Sequence, residues 1–510
     1  MQYIQGNNRN QAVLFPKCLD ELVDQDNEVR IIDLFVESIK LEDFKFIIKS
    51  NTEGRPAYDP KDLLKLYIYG YLNSMRSSRV LEKECHRNTE VMWLFKDLTP
   101  DHNTISNFRR DNEKAIRKVF QYTVSIAKMF DLIGGKLIAG GSTKLRAQNS
   151  KKNNYNPKKI ERHLAYINAK LDEYNEALKT ADQDNKAILE NQIAKQENRK
   201  QFYNNLTDQL EQSGEVQIST SDPESRQLIT RNNITEVGYN VQSTVDATHC
   251  IPVDYKVTNE NDSKAMGGML RRAKVIIGNS DFTALYDKGY HTGSELKTAC
   301  TMGVNPMVAI PGVSSFAPDP CYNYDQFIYD ENNDTFTCPQ GQNLSTNGQW
   351  YKRNTGRSTY KVKHYKTNKC QSCPVKDLCT KNANGRLLER SEYAPYIEQN
   401  KHNIDAYPET FKKRQEIVEH PYGIIKRQWG FNYIMTKKTI KRASADVGLI
   451  FTAFNLRRLI NIIGKNEFKK YLGGLILSAF GLKTLNRSIR SNMLPLIFHP
   501  ISPYSQIKVA

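Results

Sequence analysis

The chain has 510 residues, with 73 Lys plus Arg against 56 Asp plus Glu and a formal charge of +17. That length exceeds what one hydrophobic core supports and predicts two to four domains. The positive surplus suits a polyanionic partner, because each cation near a phosphate releases a condensed counterion, although a merely basic soluble protein carries the same surplus. Met1 to Asn10 is polar, so no secretory signal is expected. The apolar stretch YLGGLILSAFGL falls short of the ~20 residues of a bilayer span, which predicts a cytoplasmic protein with no membrane partner.

Residues 1–55 predict a short helical lead-in. Asp59-Pro60 opens a helix, with Asp as cap and Pro at the first position, followed by Leu63, Leu64, Tyr67 and Tyr71 at helical spacing. Ser77 and Ser78 begin a second helix, and Val91, Trp93 and Leu94 lie on a third that ends at Thr99-Pro100. A long helix from Asp101 carries Ile105, Phe108, Ile116, Phe120 and Val124, with Arg109, Arg110, Lys114, Arg117 and Lys118 on one face. Short helix, turn and basic helix fit either a helix-turn-helix on DNA or a plain helical bundle with a solvated face.

From residue 136 the pattern turns to strands: Leu137–Ala139, then 216–220, 239–247 and 250–258, the last two joined by a tight turn at Thr248-His249. Helices around Met266–Val275 and 292–302 alternate with strands 282–286 and 306–310, which predicts a mixed sheet covered by helices. Two insertions interrupt it. Residues 157–212 place Ile160, Leu164, Ile167, Leu171, Tyr174 and Leu178 at alternating four and three spacing, a helical hairpin of coiled-coil character. Residues 311–400 hold Cys338, Cys370, Cys373 and Cys379, and a long helical region follows over 405–463.

Three groups of residues carry candidate chemistry. Asp287 ends the strand FTALY, where a carboxylate can meet a metal or phosphate at a sheet edge, although Asp-Lys-Gly is also an ordinary turn. Glu419 precedes Pro421, which places it near a helix start or kink, and Lys426 follows two turns later. Arg427, Trp429 and Phe431 add a cation and rings suited to a nucleic-acid backbone or an unstacked base; the alternative is an amphipathic core helix. Cys370-x₂-Cys373-x₅-Cys379 with Cys338 can supply four thiolates to tetrahedral zinc, with His364 as a further ligand, or form a small reduced core.

YDKGYHTG, EHPYGIIKRQWGF and FTAFNLRRL resemble the transposases of bacterial insertion sequences of the Asp-Asp-Glu type, and GRPAYDPKDLLKLYIYGYLNSMRSSRVLEKECHRNTEVMWL resembles their N-terminal domain. DPESR, GYNVQSTVDA and TNENDSKAM resemble central motifs of the same family. The resemblance covers roughly 20–465 and implies an α+β, ribonuclease-H-like catalytic domain whose three carboxylates hold two Mg²⁺ or Mn²⁺ ions for phosphoryl transfer on DNA. It makes Asp287 the second carboxylate and Glu419 the third, beside which the spacing of Lys426 on the same face can place its ammonium on DNA phosphate, while LIAGGSTKLRAQNS aligns with the first motif and puts Gly141 in the Asp slot. It also implies binding to double-stranded terminal inverted repeats and target DNA, as a homodimer, through the N-terminal helices with Arg109, Arg110 and Lys114 and through Lys144, Arg146 and Arg427. The expected organisation is a DNA-binding domain over 1–130 and a catalytic core over 131–310 with the 157–212 hairpin. A cysteine-rich insertion over 311–400, a helical return over 401–463 and a basic tail over 464–510 follow. Gly141 leaves two readings of function: an impaired transposase, or an inactive relative that occupies the same DNA ends.

Overall fold

The computed structural model describes residues 18–47, 56–229, 234–312, 317–355, 358–436 and 438–479. The expected lead-in is therefore described in part, and the expected tail lies outside the described residues beyond 479. The chain forms two compact units, one of Met1–Gly70, Ser78–Ile105 and Leu459–Ala510, the other of Tyr71–Ser77 and Ser106–Arg458. Among the described residues no single helix is long and apolar enough to cross a membrane.

The first unit is helical. Helix α1 (Val29–Glu37) buries Val29, Ile31, Ile32, Phe35 and Val36 on one stripe. Helix α2 (Pro60–Leu72) begins as the Asp-Pro pair dictates, with the Asp59 carboxylate accepting the Lys61 amide at 2.7 Å. Helices α3 (Ser78–Cys85) and α4 (Thr89–Leu94) follow, α4 capped by the Asn88 side chain. The helix Lys465–Ala479 packs on α1.

The long helix expected from residue 101 is two helices, α5 (His102–Asp111) and α6 (Glu113–Met129), broken at Asn112. In the second unit α6 lies on the sheet, with Phe120 5.0 Å from Tyr255 in an edge-to-face pair.

That sheet has six strands: β1 (Leu137–Arg146), β2 (Arg226–Ile229), β3 (Thr235–Asp246), β4 (Ile251–Thr258), β5 (Thr283–Tyr286) and β6 (Asn305–Val308). β1 runs antiparallel to β3 and parallel to β5, and β6 runs parallel to β5. β4 and β2 both pair with β3, β2 along 235–238 and β4 along 240–246, giving the order β4-β3-β1-β5-β6. The mixed sheet matches expectation, but β1 is longer than the apolar run Leu137–Ala139. Its second half is polar, so hydrophobicity does not reveal it. The expected strand 216–220 shrinks to Ile218–Ser219, paired with Asn154–Tyr155.

Residues alternate between the two faces of each strand. Ile138, Ala284, Tyr286 and Val308 face a core built with α9 (Met266–Ile277) and α10 (Gly293–Thr301). Gly140 points the same way, and a Cβ there would stand 2.0 Å from the Tyr286 ring, so only glycine lets that ring cross β1. The hairpin is formed by α7 (Pro157–Thr180) and α8 (Gln183–Ser213), closely as the spacing predicts. The cysteine-rich insertion contains two three-stranded sheets, β7–β9 (Ile328–Asp330, Thr335–Thr337, Asn343–Ser345) and β10–β12 (Tyr351–Asn354, Thr359–Tyr365, Leu388–Ser391). Helices α11 (Ala394–Ala406), α12 (Pro408–Gly423) and α13 (Ile440–Ile463) complete the unit.

Asp446 of α13 is fully buried and anchors the second unit's hydrogen bonds. It accepts the Tyr71 hydroxyl and the Met435 amide, and ion-pairs with Arg76 at 3.5 Å and Arg109 at 3.6 Å. Removing it strands two buried guanidinium groups. Asp446→Ala should therefore lose about 3–5 kcal/mol of unfolding free energy, the usual cost of breaking a buried pair. Tyr71→Phe should lose much less, and denaturant unfolding of both variants measures the difference.

Candidate active site

Gly141 pairs with Ser243 of β3 and, by alternation, faces away from Gly140. Its face is covered by α12: a Cβ built on Gly141 would lie 2.4 Å from Val418 Cγ1. Parallel pairing sets Ala139 beside Leu285. Two residues further on, 141 and 287 are neighbours on that same face. Asp287 keeps extended backbone and its carboxylate accepts the Gly289 amide at 2.7 Å, so the turn reading of Asp-Lys-Gly is realised at a strand end.

Glu419 follows Val418 on α12, which packs across β1, β3 and β5. It lies in the last turns of the helix rather than near its start. Pro421 removes one amide from the helical ladder, and after Gly423 the chain passes into a π-turn at Ile424–Gln428. Tyr422 pins the helix to the sheet, its hydroxyl 2.7 Å from Ser243 Oγ and donating to the Val241 carbonyl at 3.1 Å. Lys426 emerges from the π-turn and donates to Thr143 Oγ1 at 3.1 Å and to the Lys144 carbonyl at 3.4 Å. Gln415 donates to the Glu419 carboxylate at 3.2 Å.

The other face of β1 holds a polar cluster that the sequence did not single out. Asp262 accepts Ser142 Oγ at 2.7 Å, Lys144 Nζ at 3.0 Å and Asn240 Nδ2 at 2.7 Å. Burial pushes its carboxyl pKa up, but Lys144, Ser142 and Asn240 outweigh it and hold the group below its ordinary value. The turn at Asp262 packs against the turn after Asp287. The alternation of Ser142 and Lys144 with Gly141 and Thr143 is the signal that could have found this cluster.

Several expected DNA contacts are placed otherwise. Arg109 is 4% exposed and committed to Asp446 and Tyr71, so it cannot reach a phosphate and is withdrawn as a DNA contact. Lys144 is engaged by Asp262 and Ser142, so its charge is already balanced. Arg110 forms a surface pair with Asp111 and Arg146 one with Glu236, while Lys114 and Arg427 are exposed. Cys338, Cys370, Cys373 and Cys379 line one small cavity in the insertion. His364 stacks on Tyr351 instead.

Among the described residues no three His, Cys, Asp or Glu side chains stand close enough to share an ion. Asp287 ends its strand, Glu419 is exposed on the helix that packs across the sheet, and a valine methyl fills the space beside position 141. Hard oxygen donors suit Mg²⁺, but this set is one carboxylate short of a two-metal site and does not fit it.

Residues 17–111 match the model of a family described as a transposase domain (DUF772), and residues 337–460 match the model of a transposase DDE domain. Two separate segments of the chain thus match transposase families, which supports an insertion-sequence DDE transposase. The DDE match includes Glu419 and Lys426, whereas β1 and Asp287 lie between the two matched segments. No curated protein matches this chain. A solved piggyBac transposase synaptic complex with hairpin DNA matches at 11% identity over 94% of this chain and 88% of that one, with a TM-score of 0.26, too loose a likeness for inference.

Two outcomes follow for the sheet site. Gly141→Asp alone should destabilise the protein by about 1–3 kcal/mol, the usual cost of overpacking, and Val418→Ala should relieve most of it; a double-mutant cycle in urea measures the coupling. Asp262, with its lowered folded pKa, contributes stability above the ordinary carboxylate range, and this is lost as the pH falls through the folded value. Asp262→Asn should therefore flatten the decline in stability below about pH 4, seen in melting temperature against pH.

Proposed function

We propose that this chain acts on the terminal inverted repeats of its own insertion sequence, binding them as a transposase does while lacking one carboxylate of the cleavage centre. One observation carries the reading. Register and pleat bring position 141, Asp287 and the helix bearing Glu419 to one face of a sheet with strand order β4-β3-β1-β5-β6, and the first of those positions is glycine. Three antiparallel strands followed by two parallel ones support the ribonuclease-H-like reading that the family resemblance suggests. In relatives with the full set, bound divalent ions would supply electrophilic assistance to phosphoryl transfer. Here the chain's own residues do less: Asp287 and Glu419 hold negative charge at the sheet edge, and Lys426 braces β1.

DNA binding in this proposal rests on the +17 charge and on exposed cations, Lys114, Arg146 and Arg427 among them, together with the N-terminal helices as a DNA-binding domain. A dimer in the cytoplasm fits the task, since two ends must be brought together. The rival reading, an inactive relative that regulates the same ends, is favoured by the same glycine.

The experiment pairs a gel-shift with a nicking assay on DNA carrying the repeats that flank the coding segment, in Mg²⁺. The unmodified chain should bind with an affinity falling linearly in log–log salt plots and should nick poorly or not at all. Gly141→Asp in the Val418→Ala background should restore nicking, and adding Asp287→Ala should abolish it again. Binding indifferent to salt, or robust nicking by the unmodified chain, overturns the proposal.

A further inference from the structure

We propose that the insertion at 317–391 is closed by a structural zinc ion held by Cys338, Cys370, Cys373 and Cys379, which clasps its two small sheets together. This inference does not rest on the transposition reading.

The four cysteines come from separate places. Cys338 follows β8 of the first sheet, whereas Cys370, Cys373 and Cys379 lie between β11 and β12 of the second. All four line the same cavity, and none forms a disulfide. Elsewhere the two sheets are joined by the Ser345–Lys366 bridge and by Asp334, which accepts Lys363 and Tyr365, around a small core. That buried core is Phe327, Phe336, Leu344, Tyr365 and Leu388, with Cys338 and Cys379 packed at the margin. So small a core needs a disulfide or a metal as a staple.

Donors and cations gather around the four sulfurs. The Gln342 amide donates to Cys338 Sγ at 3.3 Å and fixes that sulfur at the cavity. Lys376 and Arg386 also line the cavity, two cations beside a zinc–tetrathiolate centre of net charge about −2. Arg386 Nε is buried and has no hydrogen-bond partner among the described residues, an orphan donor that a bound thiolate would satisfy. Gly385, in left-handed backbone at φ +88°, lets the following loop close over Cys370, where a Cβ would stand 2.4 Å from the Cys370 Cβ.

As the side chains stand, no three of them are close enough to share an ion. Binding must therefore swing the sulfurs inward across the cavity to Zn–S distances of about 2.3 Å. Four protein ligands and no open position make the centre structural rather than catalytic.

The test uses the full chain, purified without added metal or chelator. Elemental analysis should find about one zinc per chain, released on titration with a mercurial that caps thiols. Cobalt exchanged into the protein should show thiolate-to-metal charge transfer and the intense visible bands of tetrahedral coordination. Cys373→Ser and Cys379→Ser should lose most of the zinc, while Cys300→Ser, outside the insertion, should retain it. Chelation should open 317–391 to limited proteolysis. The cobalt spectrum of the unmodified chain decides the question even where a serine variant misfolds. No zinc with four freely titrating thiols, a disulfide between any two of the four, or full zinc retention in Cys373→Ser overturns the proposal.

Discussion

The second unit depends on one constraint, the two-residue repeat of β1. Its ten residues are read from both sides. Ile138, Gly140, Ser142 and Lys144 serve one layer, where the Tyr286 ring crosses the strand and Asp262 gathers polar partners. Ala139, Gly141 and Thr143 serve the other, where α12 lies down and Lys426 returns to the strand. Sliding β1 by one residue would exchange the two sets and abolish both layers at once. The adjacent glycines are therefore not equivalent: one admits an aromatic ring, and the other faces the helix that carries Glu419.

That helix is held by a different kind of restraint. Its proline sits two residues beyond Glu419 and forfeits a backbone hydrogen bond, yet Tyr422 next in line anchors it through Ser243 and Val241. The π-turn that follows adds a residue to the turn and changes the phase of everything after it. Lys426 meets β1 through this phase change, so its distance from Glu419 along the chain does not describe where its ammonium lies.

Much of this was legible in the residues, and the exceptions have physical causes. Strands and helices over 235–308 were visible because their buried faces are continuous in apolar residues. The far half of β1 was invisible because Ser142, Lys144 and Arg146 are polar side chains with partners elsewhere in the fold. The break at Asn112 was missed because the apolar spacing continues across it from α5 into α6. Arg109 looked like a surface cation, since one sequence cannot reveal that an aspartate more than three hundred residues away waits to neutralise it. The place of Gly141 was readable from the motif around it. What was not readable is that Val418 fills the space its missing side chain leaves.

The helical hairpin carries a last consequence. Its buried residues, Ile160, Ile167, Tyr203, Leu206 and Leu210, all lie near its root, beside the short ladder of Asn154–Tyr155 with Ile218–Ser219. At 1.5 Å per residue, α8 alone runs about 45 Å, and most of that length has no interior to bury. Stability along the arm is therefore graded, with a root that opens only when its cluster comes apart and a tip whose local opening costs little. Whole turns can be added or removed at the far end without the sheet sensing the change, so the length of the arm is free to drift while its base is fixed.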